Sequence, residues 1–379
     1  MILDISDKTF RDIFKDKTFH LPIRWDNSDF YKTLKELYSR YIIQIENYNC
    51  SLSPNPNPSS SNPILYKRDI KFVCEYILKT VKTYLDGFPA QSYDYFSNVM
   101  EVLNRTPLLS YNKSVTEHFE KFDRYKDPLD LFRVTCVDDN VPYGRERVFH
   151  TPFSLRSRIA TNRYSIAGYP CLYLGTSLEL CCEEIHFNPH NQFALASKFK
   201  LDRDYENHRI EISVIELGIK PQDFLEETSE SNENITRQRS SKDQLNRISD
   251  KNYFRFAYLL WYPLIAACSY IRANKNHPFA AEYIVPQLLM QWVRRESVLD
   301  RYSKSLVGIR YFSCASVKSS EMGFNYVFPT VKNTRGKAYC PVLADAFVLT
   351  KPHFIHEYDS IISCEYALHR DSDLDYISQ

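Results

Sequence analysis

Arg163-Tyr164-Ser165-Ile166-Ala167-Gly168-Tyr169-Pro170-Cys171-Leu172-Tyr173-Leu174-Gly175-Thr176-Ser177-Leu178-Glu179-Leu180-Cys181-Cys182-Glu183-Glu184 is the stretch that decides how this chain is read. A cation opens it and a glycine turn follows. Cys171 to Leu174 is a short apolar run of strand type, and Gly175 breaks it. Thr176-Ser177 then offers an N-cap. The next residues predict a helix from Leu178 to Phe187, with Leu178, Cys181, Cys182 and Ile185 on one face. Glu183 and Glu184 ride beside that apolar face. A carboxylate in such a place needs a partner or a task.

Working outward, residues 1–125 predict a helical domain. Phe30, Leu34, Leu37, Tyr41 and Ile45 recur at helical spacing behind a cap at Ser28. Ser51 to Pro63 is rich in Pro, Ser and Asn and reads as a connector. Helices are predicted at Arg68–Leu85, closed by Gly87, at Ser92–Leu103 and near Val115–Phe122, as a small antiparallel bundle. Residues 126–379 predict an α+β domain. Its strands are expected at Leu131–Val137, Val148–Phe153, Phe193–Leu201, Ile210–Leu217, Leu306–Ala315, Asn325–Phe328, Val342–Thr350 and Ile361–Tyr366. Buried helices are expected at Tyr253–Ile271 and Tyr283–Arg294, and a polar surface loop over Glu226–Asp250.

Composition limits the function classes. The 379 residues carry 48 basic and 47 acidic side chains, a net charge of +1. That balance argues against a general nucleic-acid or membrane-surface binder. Ten cysteines without a CxxC pair read as buried free thiols of a cytoplasmic protein. The first residues have no basic segment followed by an apolar one, so no signal peptide is expected. Phe254–Ile271 contains Arg255 and Pro263 and reads as a core helix, not a membrane span. Only 8 glycines are present, and neither GxxxxGK[ST] nor GxGxxG occurs, so any phosphate site must rely on side chains.

Polar residues stand in apolar surroundings at Arg133, Arg163, Glu184 and Ser313, with Tyr173 and Asn325 as natural additions. An arginine fork binds diphosphate oxygens in pairs and keeps its charge. A lone carboxylate stabilises an oxocarbenium-like centre. A serine hydroxyl holds a ribose or an amide, and a tyrosine packs on a flat ring. Together these suit cleavage of a nicotinamide–ribose bond. Each has a plainer reading, as a salt-bridged arginine, a solvated helix glutamate or a turn serine. Ser313 lacks the GxSxG elbow of a nucleophile. His186, His190, His353 and His356 form no full ligand set, so no metal is expected. His150 reads as a satisfied turn residue.

In three ordered blocks the chain resembles the RES family, named for an Arg, a Glu and a Ser. The first is Phe132-Arg133-Val134. The second runs from Phe149-His150-Thr151-Pro152-Phe153 through Arg163-Tyr164-Ser165 and Leu172-Tyr173-Leu174-Gly175 to Glu184. The third is Tyr283-Ile284-Val285-Pro286-Gln287, then Gly308-Ile309-Arg310-Tyr311-Phe312-Ser313 and Asn325. The family spaces its tyrosine 11 positions before its glutamate, which selects Glu184 over Glu183 (184 − 173 = 11). The resemblance covers roughly residues 130–330. It departs at Val134, where some members have Tyr, and in the long 226–250 segment.

The resemblance implies an ADP-ribosyltransferase-like split sheet around a cleft for NAD, a substrate and not a recycled cofactor. Arg133 and Arg163 would bind its phosphates and Tyr173 its nicotinamide side. Glu184 would be catalytic, with Ser313 and Asn325 lining the pocket. It implies an enzyme that hydrolyses or phosphorolyses NAD as the toxin of a toxin–antitoxin pair, with a cognate antitoxin as partner. ADP-ribose transfer to a macromolecule and a non-catalytic binding module are the alternatives. Helical extensions on such proteins can be HEPN-like ribonucleases with an Arg-x4-His motif. His20 and His118 follow Lys15 and Lys113 instead, so residues 1–125 are expected to regulate or to dimerise, which leaves a homo-oligomer open.

Overall fold

The computed structural model describes residues 2–4, 7–26, 28–47, 51–53, 63–105, 130–201, 210–225, 244–274, 276–299, 304–330 and 337–355. In chain order these form β1 (Ile2–Asp4), α1 (Asp7–Phe14), α2 (Phe30–Glu46), β2 (Ser51–Ser53), α3 (Pro63–Leu85), α4 (Pro89–Asn104), β3 (Leu131–Val137) and β4 (Cys171–Gly175). There follow α5 (Leu178–Glu184), β5 (Phe193–Leu201), β6 (Ile210–Leu217), α6 (Gln244–Ala267), α7 (Ile284–Leu299), β7 (Lys304–Phe312), β8 (Phe324–Pro329), α8 (Pro341–Ala346), β9 (Phe347–Leu349) and β10 (His353–Phe354). The fold is α+β, helices first and a mixed sheet after.

The chain divides into two compact units, residues 1–110 with 219–285, and residues 111–218 with 286–379. The sequence boundary at 125/126 differs from this division, because residues 219–285 pack with the N-terminal helices. The reason is α6. Its Pro263 has no N–H to give the Leu259 carbonyl one turn back. The Tyr41 hydroxyl of α2 donates to that carbonyl at 2.7 Å, and Tyr38 donates to the Pro263 carbonyl at 2.6 Å. Tyr262 donates in turn to the Phe19 carbonyl. Phe10, Phe14, Phe19, Tyr41 and Tyr262 fill the space between as edge-to-face or tilted ring pairs. The tyrosine wealth of this chain thus satisfies a carbonyl that Pro263 leaves unpaired inside α6 as well as filling a core. The α2 cap is Asp29, which accepts from the Lys32 N–H, and not Ser28. Ser51–Ser53 of the expected connector pairs with Ile2–Asp4 as a two-stranded ribbon.

The second unit is built on one sheet in the order β10-β5-β3-β4-β8-β7-β6, with β9 beside β10 on β5. Its pairs are antiparallel except β6 with β7. Alternation sorts the two faces. Leu131, Leu172, Leu174, Leu195, Tyr326 and Phe328 pack with Leu343, Phe347 and Leu349 on one side. Phe132, Val134, Ala194 and Ala196 pack under Leu178 and Cys181 of α5 on the other. Two expected strands are corrected. Residues 148–153 form a turn that leads into a 3-10 helix at Phe153–Arg158, because Pro152 cannot donate to a ladder and His150 is spent elsewhere. Residues 342–346 are helical, since Pro341 starts a helix at its first turn. The sites near 115–122 and 361–366 lie outside the described residues.

His150 is fully buried. Its Nδ1 donates to the Thr151 carbonyl and its Nε2 accepts from the Cys340 N–H, both at 2.9 Å, so the ring is neutral. Burial lowers its pKa from 6.5 to about 4. The neutral fold then binds fewer protons than the unfolded chain between those values, so stability rises with pH there.

Two tests follow from these contacts. Tyr41→Phe should cost about 1–3 kcal/mol in urea denaturation, because the Leu259 carbonyl is left buried and unpaired. The His150 contribution should be complete above pH 6.5, and about 3 kcal/mol should be lost as pH falls through about 4. Denaturation curves at pH 7 and pH 4.5 should therefore lie closer together for His150→Gln than for the natural protein; equal separation would refute this role.

Candidate active site

Four strands line up one residue each: Phe132 of β3 opposite Gly175 of β4, Gly175 opposite Asn325 of β8, and Asn325 opposite Tyr311 of β7. All four face α5. Gly175 lacks the side chain that would block the helix. A Cβ there would stand 2.7 Å from the Cys181 sulfur and 3.4 Å from Asn325 Oδ1. Helix α5 therefore settles directly over the row. Its start is fixed by Ser177, whose hydroxyl accepts from the Leu180 N–H at 3.2 Å. Its end is at Glu184, three residues short of the expected Phe187, where His186 takes a positive φ of 53°. Thr176 clamps the same corner to β8, accepting the Phe324 N–H on its hydroxyl and donating its own N–H to the Phe324 carbonyl.

This construction puts Glu184 over Asn325. The buried Asn325 amide donates to Glu184 Oε1 at 2.6 Å. Arg163 is buried nearby, on a loop held by the mutual backbone hydrogen bonds of Asn162 and Ser165 and by Gln287 of α7, which donates to the Asn162 carbonyl. The charges of Arg163 and Glu184 both reach Tyr311 and Cys314. Tyr173 lies two residues before Gly175 on the same face, and its hydroxyl shares a 2.9 Å hydrogen bond with Ser165. Arg163, Tyr173, Glu184 and Asn325 thus cluster around Tyr311.

Arg133 stands where the sheet opens. Strands β3 and β4 share a single residue pair, Phe132 with Gly175. Just past it Arg133 Nη1 donates to the Tyr173 carbonyl at 3.1 Å, and its buried Nε has no partner among the described residues. One edge of the guanidinium thus braces the split between β3 and β4. Ser313 is placed differently. Its fully buried hydroxyl donates to Ser319 at 2.8 Å and accepts from the Ala315 N–H, inside a serine-rich turn after β7. These partners occupy it in the structure.

Three pocket residues escaped the sequence reading as individuals. Tyr311 is buried and packs on Tyr164 with ring centroids 4.6 Å apart. Ser165 holds Tyr173. Gly175 admits α5. The period-two pattern of Ile309 and Tyr311 was the available signal, but only the register with Asn325 gives it meaning. The thiols around the pocket are poor nucleophiles. Burial pushes Cys171 and Cys181 up to about 12 and Cys314 up to about 11.

The chain matches no family model, and no solved structure matches it. It is similar to the "Putative toxin YopC" of Bacillus subtilis (strain 168). The two are 29% identical over 342 residues, covering 88% of this chain and 67% of that protein. No helix among the described residues is long and apolar enough to cross a membrane.

Gly175→Ala should cost about 1–3 kcal/mol by overpacking against Cys181. In a double variant with Cys181→Ala most of that loss should return, because the closest clash is with the sulfur. Chemical denaturation of the two single variants and the double measures this coupling, and plain additivity would contradict it.

Proposed function

We propose that this protein is a toxin-type enzyme that consumes NAD by breaking the nicotinamide–ribose bond. The observation that carries the reading is Glu184, held by Asn325 in a cluster with Arg163 and Tyr173. The similarity to a protein named as a toxin supports the biological class.

The chemistry asks little of the protein. The pyridinium of NAD already carries the positive charge, so the bonding pair leaves with neutral nicotinamide and needs no general acid. Positive charge then develops over C1′ and the ring oxygen of the ribose. The Glu184 carboxylate is the group suited to stabilise it. Asn325 keeps that carboxylate oriented without neutralising it. Water closing on C1′ loses a proton and gives ADP-ribose; phosphate in its place gives ADP-ribose 1-phosphate. Arg163 and Arg133 are the groups for the diphosphate, and Tyr173 for the flat ring. The buried, uncharged thiols offer no competing nucleophile. A cognate antitoxin would act by covering this pocket.

Transfer of ADP-ribose to a macromolecule uses the same bond cleavage and differs only in the acceptor. NAD labelled in its adenylate part separates the outcomes. Label confined to small products, with free nicotinamide, supports breakdown; label on a macromolecule supports transfer. No nicotinamide with or without added phosphate would remove the enzymatic reading. Glu184→Gln keeps the shape and the Asn325 contact but not the charge. It should slow nicotinamide release by about 10²–10³-fold or more while leaving thermal unfolding unchanged. A Glu184→Gln protein as fast as the natural one would exclude Glu184 from the chemistry.

A further inference from the structure

Tyr311 has the features of a working group and is the one pocket residue without an assigned task. It sits directly opposite Asn325 on the neighbouring strand, on the face covered by α5. Directly opposed residues in an antiparallel pair have Cβ atoms about 4.5–5.5 Å apart. Asn325 is itself bonded to Glu184. The Tyr311 ring is fixed from behind by Tyr164, and its hydroxyl makes no hydrogen bond among the described residues.

We propose that Tyr311 is a positioning residue for Glu184: Asn325 holds one carboxylate oxygen, and the Tyr311 hydroxyl serves the other when substrate closes the site. Contacts of this kind are often loose in an empty site and tighten in the complex. The groups that face Tyr311 are Glu184 from α5, Tyr173 from β4, and Tyr164 and Arg163 from the 162–165 loop. Burial first, then Glu184 and the two tyrosines, hold the phenol far above its ordinary pKa of 10, and Arg163 opposes them only in part. Tyr311 is therefore a fixed neutral donor, unfit as a base. The tripeptide Arg163-Tyr164-Ser165 gains a common purpose from this. Tyr164 sets Tyr311, Ser165 sets Tyr173, and Arg163 places a positive charge beside Tyr311.

The assignment rests on the NAD-cleaving reading for its kinetic consequence but not for the contact, so two measurements keep them apart. The first uses the full chain with a trifluorinated tyrosine at position 311, titrated by fluorine NMR. In Glu184→Gln the fluorinated phenol should ionise about one unit lower, because a facing negative charge has gone. An unchanged midpoint would overturn the contact, whatever the protein does with NAD. The second is steady-state nicotinamide release by Tyr311→Phe, which keeps the ring on Tyr164. We expect kcat to fall about 10–100-fold with KM within about twofold, the mark of an interaction used in the transition state. A rise in KM alone, or full activity, would overturn the positioning role. If the natural protein releases no nicotinamide while the fluorine shift is present, the NAD reading fails and the Tyr311–Glu184 pairing stands.

Discussion

The position of Glu184 depends on a side chain that is missing. With any Cβ at residue 175, the Cys181 sulfur could not lie where it does, and either that side chain or α5 would have to shift. Glu184 is the last residue of that helix, so a shift at Cys181, one turn earlier, is carried to the carboxylate. The contact with Asn325 would be the first lost. A single close approach of helix to strand thus fixes the geometry on which the proposed chemistry rests, and the fold tolerates little change at this point.

Around that contact the polar groups divide into those already satisfied and those left available. His150 has both ring nitrogens engaged and stays neutral. Ser313 is tied into the turn at Ser319. The thiols are held protonated by burial. What remains is one carboxylate held on one oxygen, a guanidinium braced on one edge, and Tyr311 packed on Tyr164.

The strands β3, β5 and β6 were legible to the residue, because β3 is a compact β-type run and the sequences of β5 and β6 roughly alternate apolar and polar residues. The strand–turn–helix at 171–184 was legible for a different reason, since glycine and a capping serine punctuate it. Residues 342–346 failed because an apolar run does not say whether it is strand or helix, and Pro341 decided it. The packing of 219–285 with the first helices was not legible, because it rests on contacts such as that of Tyr41 with the Leu259 carbonyl, which spans 218 positions. In the candidate site, the resemblance to the RES family, through its tyrosine–glutamate spacing, pointed to Glu184 over Glu183. It could not show Tyr311, whose neighbour Asn325 is set by strand register.

The contrast between Ser313 and Tyr311 carries the argument one step further. Residues 309, 311 and 313 share a parity, so an extended β7 would aim all three at the face under α5. The strand ends at Phe312, however, and the chain turns. Ser313 falls into that turn, and its hydroxyl completes the Ser316–Ser319 hydrogen bonds that shape it. Tyr311 is the last residue of that parity still paired in the sheet, opposite Asn325. Strand β7 therefore delivers its polar group to the pocket at Tyr311. Ser313, one step later, secures the turn that lets β7 end there. A substitution at Ser313 would reach Glu184 only through that turn, whereas one at Tyr311 would meet it across the strand pair.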